Sequence, residues 1–287
     1  VLLADLSQAW MLGLHDVMWV PSQEGGFSVT AQEAKDMPLL AQWFGGTAAT
    51  STTLYWVTVA LCVMLSTGTL TRTSALLLVL CYAQLEDFLP VADRAIDRLY
   101  RNLMLVLACS GAGRALSVDA WLRTGSLWGD GGLIGGWARR LFILQIVWMY
   151  FDAGIEKTAS MWSVMGHYDA LHIILQNPIM ARADFTNQGP VLHWLTRVGT
   201  AGTVWWEMLA PLILVALFSQ GPGRLGRLGA WLRQRHFREV FLAIGVFFHV
   251  ALFVTLELGI FPAAMLVMYP CFYAPEMVER WLGRPSA

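Results

Sequence analysis

Lysine is scarce in this chain, and the position of one lysine suggests acid–base chemistry. The 287 residues include 17 arginines but only two lysines, Lys35 in a polar loop and Lys157 at the end of an apolar run. A guanidinium keeps its proton in proteins, whereas a lysine amine that is removed from water loses its proton more readily and can serve as a base. Lys157 is therefore the first candidate for a catalytic residue.

The residues before Lys157 place small and polar side chains at helical spacing. Tyr150, Ala153, Gly154 and Lys157 share one face of a helix. Small side chains on that face allow another backbone or a flat ligand to approach closely. Asp152 lies inside the same apolar run, where a carboxylate is a functional candidate. In the structural alternative, Lys157 extends to the membrane interface and Asp152 pairs with an arginine.

Further ionisable residues lie inside other apolar runs. Glu207 follows two tryptophans, and His249 lies within a Phe-Phe-His-Val segment. Each is either a paired structural group or part of a site. His167 and His172 are five residues apart and fall on different helix faces, so no metal site is predicted there. No phosphate-binding loop or Ser/His/Asp arrangement has readable spacing.

The composition defines the environment that these residues occupy. Hydrophobic residues make up 56% of the chain and charged residues only 14%, whereas about a quarter of a soluble domain is charged. The composition therefore predicts an integral membrane protein whose main partner is the lipid bilayer. A formal net charge of −1 offers no field for a polyanion, which excludes nucleic acid as a main partner.

The apolar runs predict an all-α, polytopic transmembrane helix bundle of about eight spans, forming a single domain over residues 1–287. The predicted spans are a partial helix ending near Leu14, followed by residues 50–65, 74–89, 102–112 with an earlier start in 94–101, 137–157, 191–218, 241–258 and 261–272. A polar loop over residues 15–44 separates the first two spans.

Basic residues predict the orientation, because short cytoplasmic loops collect Lys and Arg. With the N-terminus inside, the cytoplasmic segments hold most of the arginines, and the cluster between Arg224 and Arg238 is the strongest indication. An even number of spans then places both termini in the cytoplasm. Lys157 lies at the non-cytoplasmic end of its span in this topology.

Four segments resemble the membrane core of the vitamin K-dependent gamma-glutamyl carboxylase family, whose bacterial form is often called the HTTM domain. They are Gly113–Ala120 with a Ser-Val-Asp signature, residues 145–162 with Tyr-Phe-x-Ala-Gly-x-x-Lys and a Trp five residues later, residues 248–261 with Phe-His and Leu-Gly-Ile-Phe, and residues 270–276 with Phe-x-x-Pro-Glu. Their order and approximate spacing are preserved over residues 95–281. The resemblance implies a bacterial inner-membrane protein.

The resemblance also implies chemistry. In that family a lysine base, which falls on Lys157 by motif position, deprotonates reduced vitamin K or another naphthoquinol. Oxygen then converts the quinol to its epoxide through a strongly basic alkoxide. This alkoxide removes a gamma-proton from a peptide glutamate, and the resulting carbanion captures carbon dioxide. The resemblance thus implies an enzyme of the carbon–carbon lyase and quinol-epoxidation type. A dry cavity favours a neutral amine and protects reactive species from water. The residues expected to bind the quinol or shape its cavity are Tyr150, Asp152, Gly154, Trp162, Glu207 and His249.

The chain departs from the family pattern at three places, one of them a histidine or asparagine element before the Ser-Val-Asp signature, for which Asn102 is the nearest candidate. The chain has Glu156-Lys157 where the vertebrate family has a lysine pair, and an adjacent carboxylate favours the charged lysine unless it points away. No luminal substrate domain is expected, so the fold should transfer better than glutamate carboxylation. The alternative function is a non-catalytic membrane scaffold, an accessory subunit of a larger membrane complex.

Overall fold

The computed structural model describes residues 1–28, 38–132, 134–187 and 189–283, and the regular elements in these ranges are all helices. The all-α prediction is confirmed. Lys35 lies outside the described residues. The helices cluster into two compact units, Val1–Arg139 and Arg140–Ala287, which are described separately. The single transmembrane domain over residues 1–287 stays a prediction.

The first unit is built around three consecutive helices, of which the middle one contacts the other two. Its helices are α1 (Leu2–Met11), α2 (Leu39–Phe44), α3 (Ala48–Thr67), α4 (Thr71–Phe88), α5 (Ala95–Cys109) and α6 (Val118–Thr124). Large side chains of α3, α4 and α5 fill its core, among them Tyr55, Leu78, Leu85 and Ile96. The start of α5 at Ala95 confirms the earlier start predicted for the fourth span.

The second unit contains the segment around Lys157. Its helices are α7 (Trp137–Ile155), which begins three residues before the unit boundary, α8 (Ala170–Leu175), α9 (Pro190–Met208), α10 (Pro211–Phe218), α11 (Arg224–Gln234), α12 (Phe237–Thr255), α13 (Phe261–Met268) and α14 (Pro275–Trp281). Helix α12 packs against α10, α11 and α13, and α8 packs on α9.

Fewer helices than predicted have the length and hydropathy to cross a membrane. Among the described residues α3 and α12 do, and α9 with α10 makes a third span if this bent pair is counted as one. The count of about eight is therefore not confirmed. The continuous helix predicted over residues 191–218 is instead broken, with a 46° bend between α9 and α10. Pro211 causes such a break because it has no N–H for the carbonyl of Glu207 and its ring displaces that carbonyl.

The Ser-Val-Asp signature of the first resembling segment caps two helices. The hydroxyl of Ser117 accepts a hydrogen bond from the Ala120 N–H at 3.0 Å and caps α6. The Asp119 carboxylate accepts hydrogen bonds from the backbone N–H groups of Leu70 and Thr71, both at 2.8 Å, and from the Thr71 hydroxyl at 2.7 Å. These bonds satisfy N–H groups that α4 cannot pair within itself.

Two glycines make this arrangement possible. Gly68 and Gly113 have φ of 68° and 85°, a left-handed conformation that side chains disfavour. A Cβ on Gly68 would lie 2.3 Å from the Cβ of Ser117, and one on Gly113 would lie 2.4 Å from the Thr71 hydroxyl oxygen. The signature therefore joins α6 to the turn between α3 and α4, which is a structural role.

We expect Asp119→Ala to lower the free energy of unfolding by about 1–2 kcal/mol at neutral pH, because three hydrogen bonds are lost. Burial alone raises the pKa of Asp119, but the bonds from Thr71 and Leu70 outweigh it and hold the pKa below its ordinary value. The stabilisation is therefore present above about pH 4, the unfolded-state pKa, and is lost as pH falls through the lower folded-state pKa.

Thermal unfolding of the two proteins in detergent, at neutral and at acidic pH, measures this difference. Asp130→Ala is the matched control, since among the described residues the Asp130 carboxylate accepts a local hydrogen bond, from the Gly132 N–H in an exposed loop. The capping role would be contradicted if the two variants lost equal amounts of thermal stability. It would also be contradicted if the stability loss of Asp119→Ala did not become smaller at acidic pH.

Candidate functional site

The second unit contains a largely apolar, partly open cavity of about 640 Å³. Its walls come from α7, α8, α9 and α12, together with Phe261 of α13. Polar side chains on the wall are few, namely Tyr150, Lys157, Thr200, Thr203, Glu207 and Thr255. A cavity of this size and composition is typical of small-molecule sites, in which a few polar groups orient a mostly apolar ligand.

Lys157 and Glu207 form an ion pair at the cavity wall. The Lys157 Nζ donates to Glu207 Oε2 at 2.6 Å and to the carbonyl oxygen of Ala153 at 2.9 Å. The two side chains are only 15% and 6% exposed. The Trp162 ring lies over the amine, with its centroid 5.1 Å from Nζ. Such a pair is short, charge-assisted and shielded from water.

Three features of the sequence bring these groups together. A Cβ on Gly154 would lie 3.1 Å from the Glu207 Cβ and 3.2 Å from the backbone N of Met208, so this glycine allows α7 and α9 to approach closely. Lys157 follows the last residue of α7 by two, where the helix carbonyls attract a cation. Glu207 lies four residues before Pro211, in the last turn of α9.

A second polar group lies on the wall beside this pair. The Tyr150 hydroxyl is 2.8 Å from His249 Nε2 and 2.9 Å from the Tyr269 hydroxyl. Tyr150 lines the cavity, whereas His249 is fully buried behind it and is not a lining residue. The Nδ1 of His249 has no hydrogen-bond partner among the described residues. Two buried groups thus hold the tyrosine hydroxyl in place.

The predicted site residues fall into three groups. Lys157, Tyr150, Trp162 and Glu207 line the cavity. Gly154 and His249 act one layer behind, through helix packing and through Tyr150. Asp152 is exposed and does not reach the cavity, because it lies about 200° around α7 from Tyr150. Asp152 therefore does not shape the cavity, contrary to the prediction.

Glu156, the neighbour of Lys157 in the sequence, is also exposed. The carboxylate that meets the lysine is Glu207, 50 residues away in the sequence. Glu156, which was expected to oppose proton loss from Lys157, is thus not its hydrogen-bond partner. The partner is Glu207, which the sequence analysis also assigned to the site.

Sequence reasoning missed several polar residues of the site, among them Thr255, which lines the cavity from the end of α12. Thr200 and Thr203 line the cavity on the same face of α9 as Glu207, and their i, i+3, i+7 spacing is a signal that was available. Tyr269 had no comparable signal, because its role depends on contact with Tyr150. Its hydroxyl fits only because residue 245 is a glycine, at which a Cβ would lie 2.1 Å from that oxygen.

An ion-pair network fixes α8 to α9 beside the cavity. The Asp169 carboxylate accepts hydrogen bonds from Arg197 Nε at 2.6 Å and His193 Nε2 at 2.9 Å. Arg197, followed by His193, holds the pKa of Asp169 well below its ordinary value, against the effect of burial. The Leu171 N–H donates to Thr200 Oγ1 at 3.1 Å in the same region. These bonds position the wall formed by α8.

Another carboxylate cluster lies in the first unit. Oxygens of Glu86, Asp93 and Asp97 lie within 4.8 Å of one another. Asp97 is already engaged by the Tyr82 hydroxyl at 2.7 Å and by Arg94 Nε at 2.8 Å. This saturation makes Asp97 a structural group at the start of α5.

The ion pair should behave as one unit in stability measurements. Glu207→Gln leaves the Lys157 ammonium poorly compensated, and we expect a loss of about 3 kcal/mol in the free energy of unfolding. Lys157→Met should cost a similar amount, because it strands the carboxylate. The double variant should be more stable than the sum of the two losses predicts, by at least about 1 kcal/mol. Chemical denaturation of the four proteins in detergent completes the cycle, and additive losses would show that the pair is not coupled.

The contact of Gly245 with Tyr269 gives a second prediction. Gly245→Ala must displace Tyr269 and break its bond to Tyr150, so we expect a loss of about 2 kcal/mol. Gly202→Ala is the matched control, since its added Cβ meets no atom within 4 Å. As a helical Gly→Ala change it should leave stability unchanged or raise it by up to about 1 kcal/mol. Equal melting temperatures for the two variants would be inconsistent with this packing.

Comparisons with known proteins give one result. The sequence model of a protein family described as the HTTM domain matches residues 32–214. The match includes Lys157 and Glu207 together with the first two resembling segments, and it ends before the segments around His249 and Pro275. No curated protein and no solved structure is significantly similar to the chain.

Proposed function

The chain belongs to the HTTM-domain family, and from this membership and the cavity of the second unit we propose that it is a quinol-dependent membrane enzyme of the vitamin K-dependent carboxylase type. The observation that carries the proposal is the Lys157–Glu207 pair facing an apolar cavity. An ion pair with only a structural role does not need such a cavity, whereas a base acting on an apolar ligand does.

The cavity residues fit a reduced naphthoquinone. The volume of the cavity lies within the range of small-molecule sites. Its aliphatic and aromatic walls suit a flat ring with an isoprenoid tail. Lys157, Glu207 and Tyr150 provide polar contacts for ring oxygens. When bound, a naphthoquinol supplies an acidic hydroxyl and, with oxygen, the strong base that carboxylation requires.

Lys157 is the proposed base, and Glu207 receives the proton that Lys157 must first give up. The 2.6 Å contact between Nζ and Glu207 Oε2 gives the ammonium proton a route to the carboxylate. A ligand that fills the cavity favours this transfer, because it removes water from the two charges. The neutral amine then accepts a proton from a ligand hydroxyl. The Ala153 carbonyl keeps Nζ in place throughout, and the Trp162 ring limits its contact with water.

Tyr150 orients the ligand. Its hydroxyl is held by His249 and Tyr269, so the ring forms a fixed part of the cavity wall against which a flat ligand can lie at little entropic cost. A peptide glutamate is the proposed second substrate, and the bacterial inner membrane is the proposed location. Both termini lie on the cytoplasmic side in this proposal, with Lys157 towards the opposite face.

The test is epoxide formation from reduced vitamin K by the purified full chain in nanodiscs, with oxygen present. Lys157→Ala should lower the rate at least about 100-fold, because it removes the base. Glu156→Gln is the control, since it changes an exposed neighbour and should retain the activity. Melting temperatures and quinone binding, measured on all three proteins, separate loss of chemistry from loss of fold.

Two outcomes would contradict the proposal. Activity that persists in Lys157→Ala would show that another group is the base. A wild-type chain that neither binds quinone nor forms epoxide, but co-purifies with other membrane proteins in fixed stoichiometry, would favour the scaffold function.

A further inference from the structure

Helix α11 is a short basic helix that links two apolar helices. It contains three arginines, a fourth is its C-cap residue, and it has no Asp or Glu. Five residues separate it from the end of α10, and two separate it from the start of α12. Because α12 and the α9–α10 pair have the composition of membrane spans, both ends of α11 are tethered close to the membrane surface.

One face of α11 rests on the end of α10. Gly226, Gly229 and Leu232 are buried, and a Cβ on Gly229 would lie 2.7 Å from the carbonyl oxygen of Val215. Arg233 uses its Nη1 to donate to the carbonyl of Ala216 at 2.8 Å. This face is therefore committed to the fold, and Arg233 caps the C-terminal carbonyls of α10.

The exposed surface of α11, about 100° around the helix from the buried face, carries apolar and basic side chains together. Leu225, Leu228 and Trp231 are 63%, 37% and 53% exposed. Arginines are exposed beside them, and no side-chain bond or ion pair with a described residue involves three of these, namely Arg224, Arg227 and Arg235. Exposed leucine and tryptophan next to unpaired arginine is the pattern of a helix lying in the plane of a membrane interface.

We propose that α11 lies in the headgroup region of the bilayer and binds anionic phospholipid through Arg224, Arg227 and Arg235. The leucines and Trp231 insert at the boundary of the acyl chains, while the guanidinium groups bond to headgroup phosphates. Charge complementarity selects an anionic lipid. The apolar flank selects a membrane surface over a free phosphate, which would gain nothing from it. This proposal does not depend on the proposed function.

The experiment measures the melting temperature of the full chain in mild detergent as phosphatidylglycerol or phosphatidylcholine is added. Phosphatidylglycerol should raise the melting temperature more than phosphatidylcholine does, and added salt should reduce the difference. In the triple variant Arg224→Gln/Arg227→Gln/Arg235→Gln the difference should fall by at least half. Each arginine contributes about fivefold to affinity for an anionic surface.

A second triple variant controls for total charge. Arg72→Gln/Arg114→Gln/Arg123→Gln removes the same charge from exposed arginines elsewhere, and it should keep the response to phosphatidylglycerol. Equal effects of both lipids on the wild type, or equal losses in both triple variants, would overturn the proposal. Stabilisation by inorganic phosphate as large as that by phosphatidylglycerol would also overturn it, because the site would then be a free-anion site.

Discussion

A charged amine that leaves water must be compensated, and the architecture around the cavity follows from that requirement. The ammonium of Lys157 would be very costly to bury alone, whereas beside the Glu207 carboxylate and the Ala153 carbonyl it is neutralised and hydrogen-bonded. Keeping the partners within 2.6 Å demands close helix packing, which Gly154 permits. The same contact that stabilises the lysine also places a carboxylate oxygen, a potential proton acceptor, beside its amine.

The remaining polar residues of the second unit meet the same demand in different ways. The Tyr150 hydroxyl bonds to His249 Nε2 and to the Tyr269 hydroxyl within the core, and the Asp169 carboxylate bonds to Arg197 and His193 beside α8. Buried polar groups that are fully bonded rigidify their surroundings. A cavity with stiff polar contacts and apolar walls can orient a ligand without paying the entropy of reorganising itself.

The sequence predicted the elements better than it predicted their continuity. Each predicted span overlaps a helix of the structure, since apolar runs and their end signals are local patterns, but the predicted number of membrane crossings is not confirmed. The break before Pro211 was missed, although proline is a local signal, because the apolar character continues across it into α10. Lys157 was found through its rarity and depth. Asp152 was assigned to the cavity on depth alone, and depth does not specify which helix face is buried.

What the sequence determined by itself is the environment and the family: composition excludes a soluble protein, and the motif around Lys157 agrees with the HTTM match over residues 32–214. Only the tertiary structure decided which carboxylate meets the lysine and which aromatic residues hold Tyr150. Those contacts join residues 50 to 119 positions apart, and their formation depends on helix packing distances that no local pattern encodes. Local forces set helices, whereas complementary shape and charge compensation between distant segments set the site.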